Sequence, residues 1–114
     1  MRVTIDMPEL EISRDGNDAT IVVRGDLTGI YVDTLRTALK ESFEAEAELR
    51  TLTVDMRECP FIDSSCMGLL AGCKKELTRR GAKMRLINVP EVMAVAMRRI
   101  GMHRVMQIVV LGDK

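Results

Sequence analysis

Histidine is almost missing from this sequence, and His103 stands alone. Ser-His-Asp catalysis needs an imidazole held between a nucleophile and an acid, and His103 falls in a loop beside the basic Arg104. A metal-ligand cluster cannot be built from one imidazole and the three cysteines Cys59, Cys66 and Cys73, an odd set without a CxxC pair. Nucleotide motifs are lacking too. Gly25-x-x-x-Gly29 has neither the Lys-Ser/Thr of a phosphate-binding loop nor the spacing of a dinucleotide fingerprint. No enzymatic activity, metal or cofactor is expected.

Net charge is absent as well. Seventeen Lys/Arg balance seventeen Asp/Glu, so the chain creates no overall field that would draw it onto nucleic acid or an anionic membrane. The balance conceals an asymmetry: residues 1–57 carry seven Lys/Arg against twelve Asp/Glu, and residues 58–114 carry ten against five. Either the two faces lie side by side and partly neutralise, or they form a polarised surface for a charged partner. The amino-terminal MRVTIDMPELEISRDG alternates apolar and charged residues and has no apolar stretch of signal-peptide or membrane-spanning length. A cytoplasmic protein without direct membrane contact is the expectation.

What is present is enough for one core. A chain of 114 residues with 46% apolar and 30% charged side chains has the size and composition of a single soluble domain, spanning 1–114 with no linker and no internal repeat. Leu10 and Ile12, then Ile21, Val22 and Val23, read as a hairpin around Asp15-Gly16-Asn17-Asp18. Val32, Leu35, Leu39 and Phe43 have helical spacing, which predicts a first helix from about Tyr31 to Glu46. Leu52 to Met56 reads as a strand. Cys66, Leu69, Leu70, Cys73 and Leu77 mark a second helix from Ser65, ended by Gly81. Met84 to Val89 is the next strand, and Pro90 opens a third helix whose apolar face is Val92, Met93, Ala96, Met97 and Ile100. Val105 to Leu111 supplies a last strand. The order β-hairpin, α, β, α, β, α, β specifies an α/β fold: a mixed sheet of about five strands with helices packed against it.

The segment Phe61-Ile62-Asp63-Ser64-Ser65-Cys66-Met67-Gly68-Leu69-Leu70 follows a strand and enters a helix. Loops at the carboxyl ends of such strands are where α/β sheets place function. Asp63 and Ser64 are both good N-cap residues, and capping alone could account for them. The cysteines suit the core as small hydrophobes. A thiol sensor using Cys66 or Cys73 is the competing reading, since a helix N-terminus can lower a thiol pKa. Met93, Met97, Met102 and Met106 are expected mostly in the core. Any that project outward beside Arg98 and Arg99 would suit a partner helix or a second copy, giving a homodimer.

Together with the strand Leu52–Asp55 before it and the basic helix after it, this segment resembles the signature of STAS domains, in which an Asp-Ser-Ser/Thr-Gly-Leu/Met-Gly run opens the second helix. The Gly25-Asp26-Leu27 turn, Gly81 and the Pro90-to-Gly101 helix fall in the family's order, so the likeness covers nearly the whole chain. Within the family the nearest resemblance is to anti-sigma factor antagonists. It implies a single STAS-type domain, phosphorylated at Ser64 by an anti-sigma factor with a histidine-kinase-like fold. It also implies a PP2C-type phosphatase as a second partner, and a partner-binding face of Asp26, Thr28, Asp63, Ser64, Ser65, Cys66 and Met67. Asp63 would orient the hydroxyl in the kinase complex. Phosphate would add about −1.5 to −2 charges at a helix N-terminus, where the domain tolerates an anion but a docking partner is repelled. Two positions depart from the pattern: Cys66 replaces a glycine, placing a larger side chain beside Ser64, and Thr28 replaces an acidic residue. They motivate an alternative, a non-phosphorylated STAS subunit that binds a transporter ATPase or a signalling complex by shape alone.

Overall fold

In the computed structural model of the chain, residues 9–43 and 48–112 are described. The alternating amino-terminal segments form strands β1 (Glu9–Asp15) and β2 (Asp18–Arg24), paired antiparallel across a turn at Gly16 and Asn17. A 3-10 turn at Gly29–Tyr31 leads into helix α1 (Val32–Phe43). The chain continues through β3 (Thr51–Glu58), α2 (Ser64–Arg79), β4 (Lys83–Val89) and α3 (Glu91–Arg99). A second 3-10 turn, Met102–Arg104, precedes β5 (Gln107–Val110). The expected first-helix residues 44–46 lie outside the described residues, as does the first half of the amino-terminal alternation.

Strand order in the sheet is the order in the chain, β1-β2-β3-β4-β5. The β2, β3, β4 and β5 pairings are parallel. Each β-α-β connection therefore steps one strand in the same direction, and the right-handed rule puts α1, α2 and α3 on one face. Period two does the rest. Ile21, Val23, Leu52, Val54, Met56, Met84 and Leu86 are buried beneath the helices, whereas Val22, Thr53, Asp55 and Arg85 point to the opposite face and are only half-buried. At the end of β4 the register shifts between Leu86 and Val89. Asn88 absorbs the irregularity at φ 55, a left-handed conformation asparagine tolerates, and donates to Asp55 at 3.0 Å. Val89 is thereby fully buried.

The third helix differs from its expected face. Met93, Ala94 and Met97 are buried, while Val92 is 74% and Ile100 62% exposed. The helix is only nine residues long and ends at Arg99, so Ile100 falls beyond its last turn. Met93, Met97, Met102 and Met106 are all buried, and the outward-projecting side chains at this end are valines and an isoleucine. His103 is exposed in the turn before β5. No helix among the described residues is long and apolar enough to cross a membrane.

Candidate functional site

Two loops that leave neighbouring parallel strands remain paired after the strands end. The Gly25 N–H donates to the Glu58 carbonyl at 2.9 Å, Leu27 N–H to the Phe61 carbonyl at 2.9 Å, and Asp63 N–H to the Leu27 carbonyl at 2.9 Å. The last two form a parallel bridge between Leu27 and Ile62, whose side chains are both buried. Two apolar anchors and three backbone bonds thus hold the β2–α1 loop against the β3–α2 loop. Asp26 and Thr28 come from one, Ser64 and Ser65 from the start of the helix after the other, all at the carboxyl edge of the parallel strands.

Asp63 fastens the arrangement. It is the N-cap of α2, in extended conformation at φ −85 and ψ 173, and its Oδ1 accepts from the Cys66 N–H at 3.0 Å. Its Oδ2 accepts from the Gly29 N–H in the opposite loop. One carboxylate therefore satisfies a free helix donor and ties the two loops together. Ser64 is the first residue of the helix rather than its cap, and both Ser64 and Ser65 are exposed. Gly29 packs against Asp63 and Ser65: a Cβ there would lie 3.5 Å from Asp63 Oδ2 and 3.6 Å from Ser65 Oγ.

Cys66 and Met67 sit in the same helical turn with their side chains in the core. Cys66 is wholly buried, its Sγ donating weakly to the Thr28 carbonyl at 3.5 Å, and Met67 is 6% exposed. Residues 66, 70, 73 and 77 share the inner side of α2 because a helix returns to one face every three or four positions. The Cys66 side chain, at the position where the resemblance expects glycine, therefore points into the core while the neighbouring Ser64 is exposed. Asp26 is exposed and Thr28 half-buried.

All three thiols are buried and free. Burial and, after it, the neighbouring Asp63 carboxylate push Cys66 up to about 11, and burial pushes Cys73 up to about 12. Cys59 is likewise raised by burial. The lowering expected of Cys66 from the helix N-terminus does not occur, since desolvation and a capping carboxylate oppose thiolate formation. A redox-sensing thiol finds no support here.

The geometry adds two residues that sequence reasoning missed. Ile30 is 81% and Phe61 43% exposed, placing apolar surface on the same two loops as Asp26 and Ser64. Their only signal in the sequence is that both are large apolar residues inside turn segments, where no periodicity assigns them to the core.

The structure is thus an α/β domain with a mixed sheet and two exposed hydroxyls at a helix start beside a capping aspartate. The chain belongs to the STAS domain family, whose family model matches residues 9–110. Its fold is similar to that of the anti-sigma factor antagonist SpoIIAA in its unphosphorylated form, with a TM-score of 0.68 and 22% identity over 90% of this chain and 86% of that one. The Bacillus SpoIIAA solved in the phosphorylated form gives 0.69 and 21% over 88% and 90%. An anti-sigma factor antagonist from Mycobacterium paratuberculosis superposes with a TM-score of 0.78 at 12% identity, over 90% and 86%. A sulfate transporter family protein from Wolinella succinogenes gives 0.70 at 20%, over 82% and 76%. No curated protein sequence matches the chain.

Proposed function

We propose that this STAS domain is a cytoplasmic, non-enzymatic switch of the anti-sigma factor antagonist kind, docking onto a histidine-kinase-like anti-sigma factor and released when that partner phosphorylates Ser64. The observation that carries the reading is the exposed hydroxyl at the first position of α2, directly after Asp63. Asp26, Thr28, Ile30, Phe61 and Ser65 lie on the same two cross-linked loops and helix start, and Cys66 and Met67 turn inward beneath it. Phosphate would meet a helix N-terminus that accommodates an anion, leaving the fold in place. The added −1.5 to −2 charges, roughly, would be felt by whatever docks there. A PP2C-type phosphatase would reset the switch. The test is incubation with histidine-kinase-like anti-sigma factors of the same cell and ATP, followed by mass mapping. Phosphate on Ser64, absent in Ser64→Ala, is expected; full transfer to another residue, or none, contradicts the reading.

Membership of the family together with similarity to a sulfate transporter family protein supports a second reading, a non-switching subunit that clamps a transporter or a signalling complex. Affinity for such a partner indifferent to Ser64→Asp would favour it.

A further inference from the structure

Among the described residues the exposed large apolar side chains fall into two groups. Ile30 and Phe61 lie on the two paired loops before α1 and α2, whereas Val92, Val95, Ile100, Val105 and Leu111 lie on α3, the turn after it and the residue following β5. Ile100 and Val105 form one wall of a groove of about 650 Å³ whose other wall is α2. That volume lies within the range of small-molecule sites. The groove is polar at one end only. Its floor towards the start of α2 is Met67 and Ala71, with Gly68 contributing no side chain, and its far end holds Lys74, Lys75 and Thr78. From Met67 to Lys75 the helix advances roughly 12 Å.

The lysines are free to take an anion. Neither forms an ion pair or a side-chain hydrogen bond among the described residues, and the acid of the same turn, Glu76, is held by Arg79 and Arg80 at 2.6 and 2.9 Å. Residues 64–112 carry nine Lys/Arg against Glu76 and Glu91 alone. A partner helix fits this arrangement less well, because an amphipathic helix segregates charge along its sides over its whole length. Here the charge sits at the end of an apolar track. A bare inorganic anion would leave that track uncovered.

We propose that the α2–α3 groove binds a free single-chain anionic amphiphile, its alkyl chain lying along Met67, Ala71, Ile100 and Val105 and its headgroup on Lys74 and Lys75. This is independent of the reading of Ser64. The test is a titration of methyl-13C-methionine-labelled protein with octanoate, decanoate and dodecanoate below their micelle concentrations, with decyltrimethylammonium as the cationic comparison. The Met67 and Met102 methyls should shift first and saturably. Affinity should rise about two- to fourfold per added methylene. Lys74→Glu with Lys75→Glu should weaken binding roughly tenfold, and Ala71→Trp should block it with the remaining methyl spectrum unchanged. Both lysines are on the outer part of the helix, so their double variant serves should the tryptophan variant fail to fold. Equal affinity for the cationic probe, or no dependence on chain length, overturns the proposal. So does binding to phosphatidylglycerol vesicles without binding of the monomeric probes, or a Met67 and Met102 shift that follows protein concentration with no probe present, which would assign the groove to a second copy.

Discussion

Asp63 joins two loops through one carboxylate, so its loss should be felt beyond the helix it caps. Asp63→Ala removes an N-cap bond and the bond to Gly29, and a loss of about 1–3 kcal/mol in urea unfolding is expected. Asp63→Asn keeps an acceptor and should lose less. If both variants unfold like the wild type, the carboxylate does not hold the loops. The buried thiols give a second prediction. Folded values of about 11 for Cys66 and 12 for Cys73 lie above the ordinary 9.0, so unfolding releases protons above pH 9. Their contribution is complete below pH 9 and is lost as pH rises towards 11 and 12. Urea midpoints at pH 8 and pH 10.5 should therefore fall more steeply in the wild type than in Cys66→Ala with Cys73→Ala; equal slopes would contradict the assignment. The sequence already singled out Asp63 and Ser64, because Asp and Ser before an apolar-periodic run are cap chemistry. Which of them caps, and that the second carboxylate oxygen reaches Gly29 thirty-four residues away, depends on the pairing of β2 with β3 and could not be read locally.

At the scale of the element, α2 shows how well local rules can specify an end. Gly81, at φ +77, follows the C-cap Arg80. Its N–H donates to the Thr78 carbonyl at 3.0 Å, while Ala82 N–H reaches the Leu77 carbonyl at 2.8 Å. This is the paired bonding of a Schellman motif, closed by contact-forming positions Leu77 and Ala82, both buried. Gly81→Ala forces a side chain into a left-handed conformation and should cost about 1–2 kcal/mol, read as a lowered urea midpoint with an unchanged slope. No change would mean that the helix end relaxes. The second helix and its stop were legible because sixteen residues give more than four turns of pattern. The nine residues of α3 give two and a half. Over so short a span, Val92, Met93, Ala96, Met97 and Ile100 suit a helical stripe as well as the observed Met93, Ala94 and Met97 do, and packing against β5 decides between them. The last strand was likewise shortened because Met102–Arg104 wind into a turn.

For the whole molecule, strand order equal to chain order turns a sequence asymmetry into a spatial one. The acid-rich first half builds β1, β2 and α1, and the base-rich second half builds β4, α3 and β5, at opposite edges of the sheet. Of the two readings of the charge count, the polarised surface needs its poles at opposite edges, which this strand order permits. A neutral protein with separated poles should attract itself weakly at low ionic strength. Light scattering should give a lower second virial coefficient at 10 mM salt than at about 150 mM, where screening acts within 8 Å; no salt dependence would mean that the poles are neutralised. The fold class itself was readable because alternating helical and strand periods leave few topologies. The proposed docking face was only partly so, since Ile30 and Phe61 become a surface only when their two loops are brought together. The central claim is that Ser64 controls docking without controlling shape. It is tested most directly by measuring, on unmodified and Ser64-phosphorylated protein, the affinity for the proposed anti-sigma factor partner and the thermal midpoint together. At least a tenfold loss of affinity with an unchanged midpoint is predicted; unchanged affinity, or a loss that follows unfolding, would contradict it.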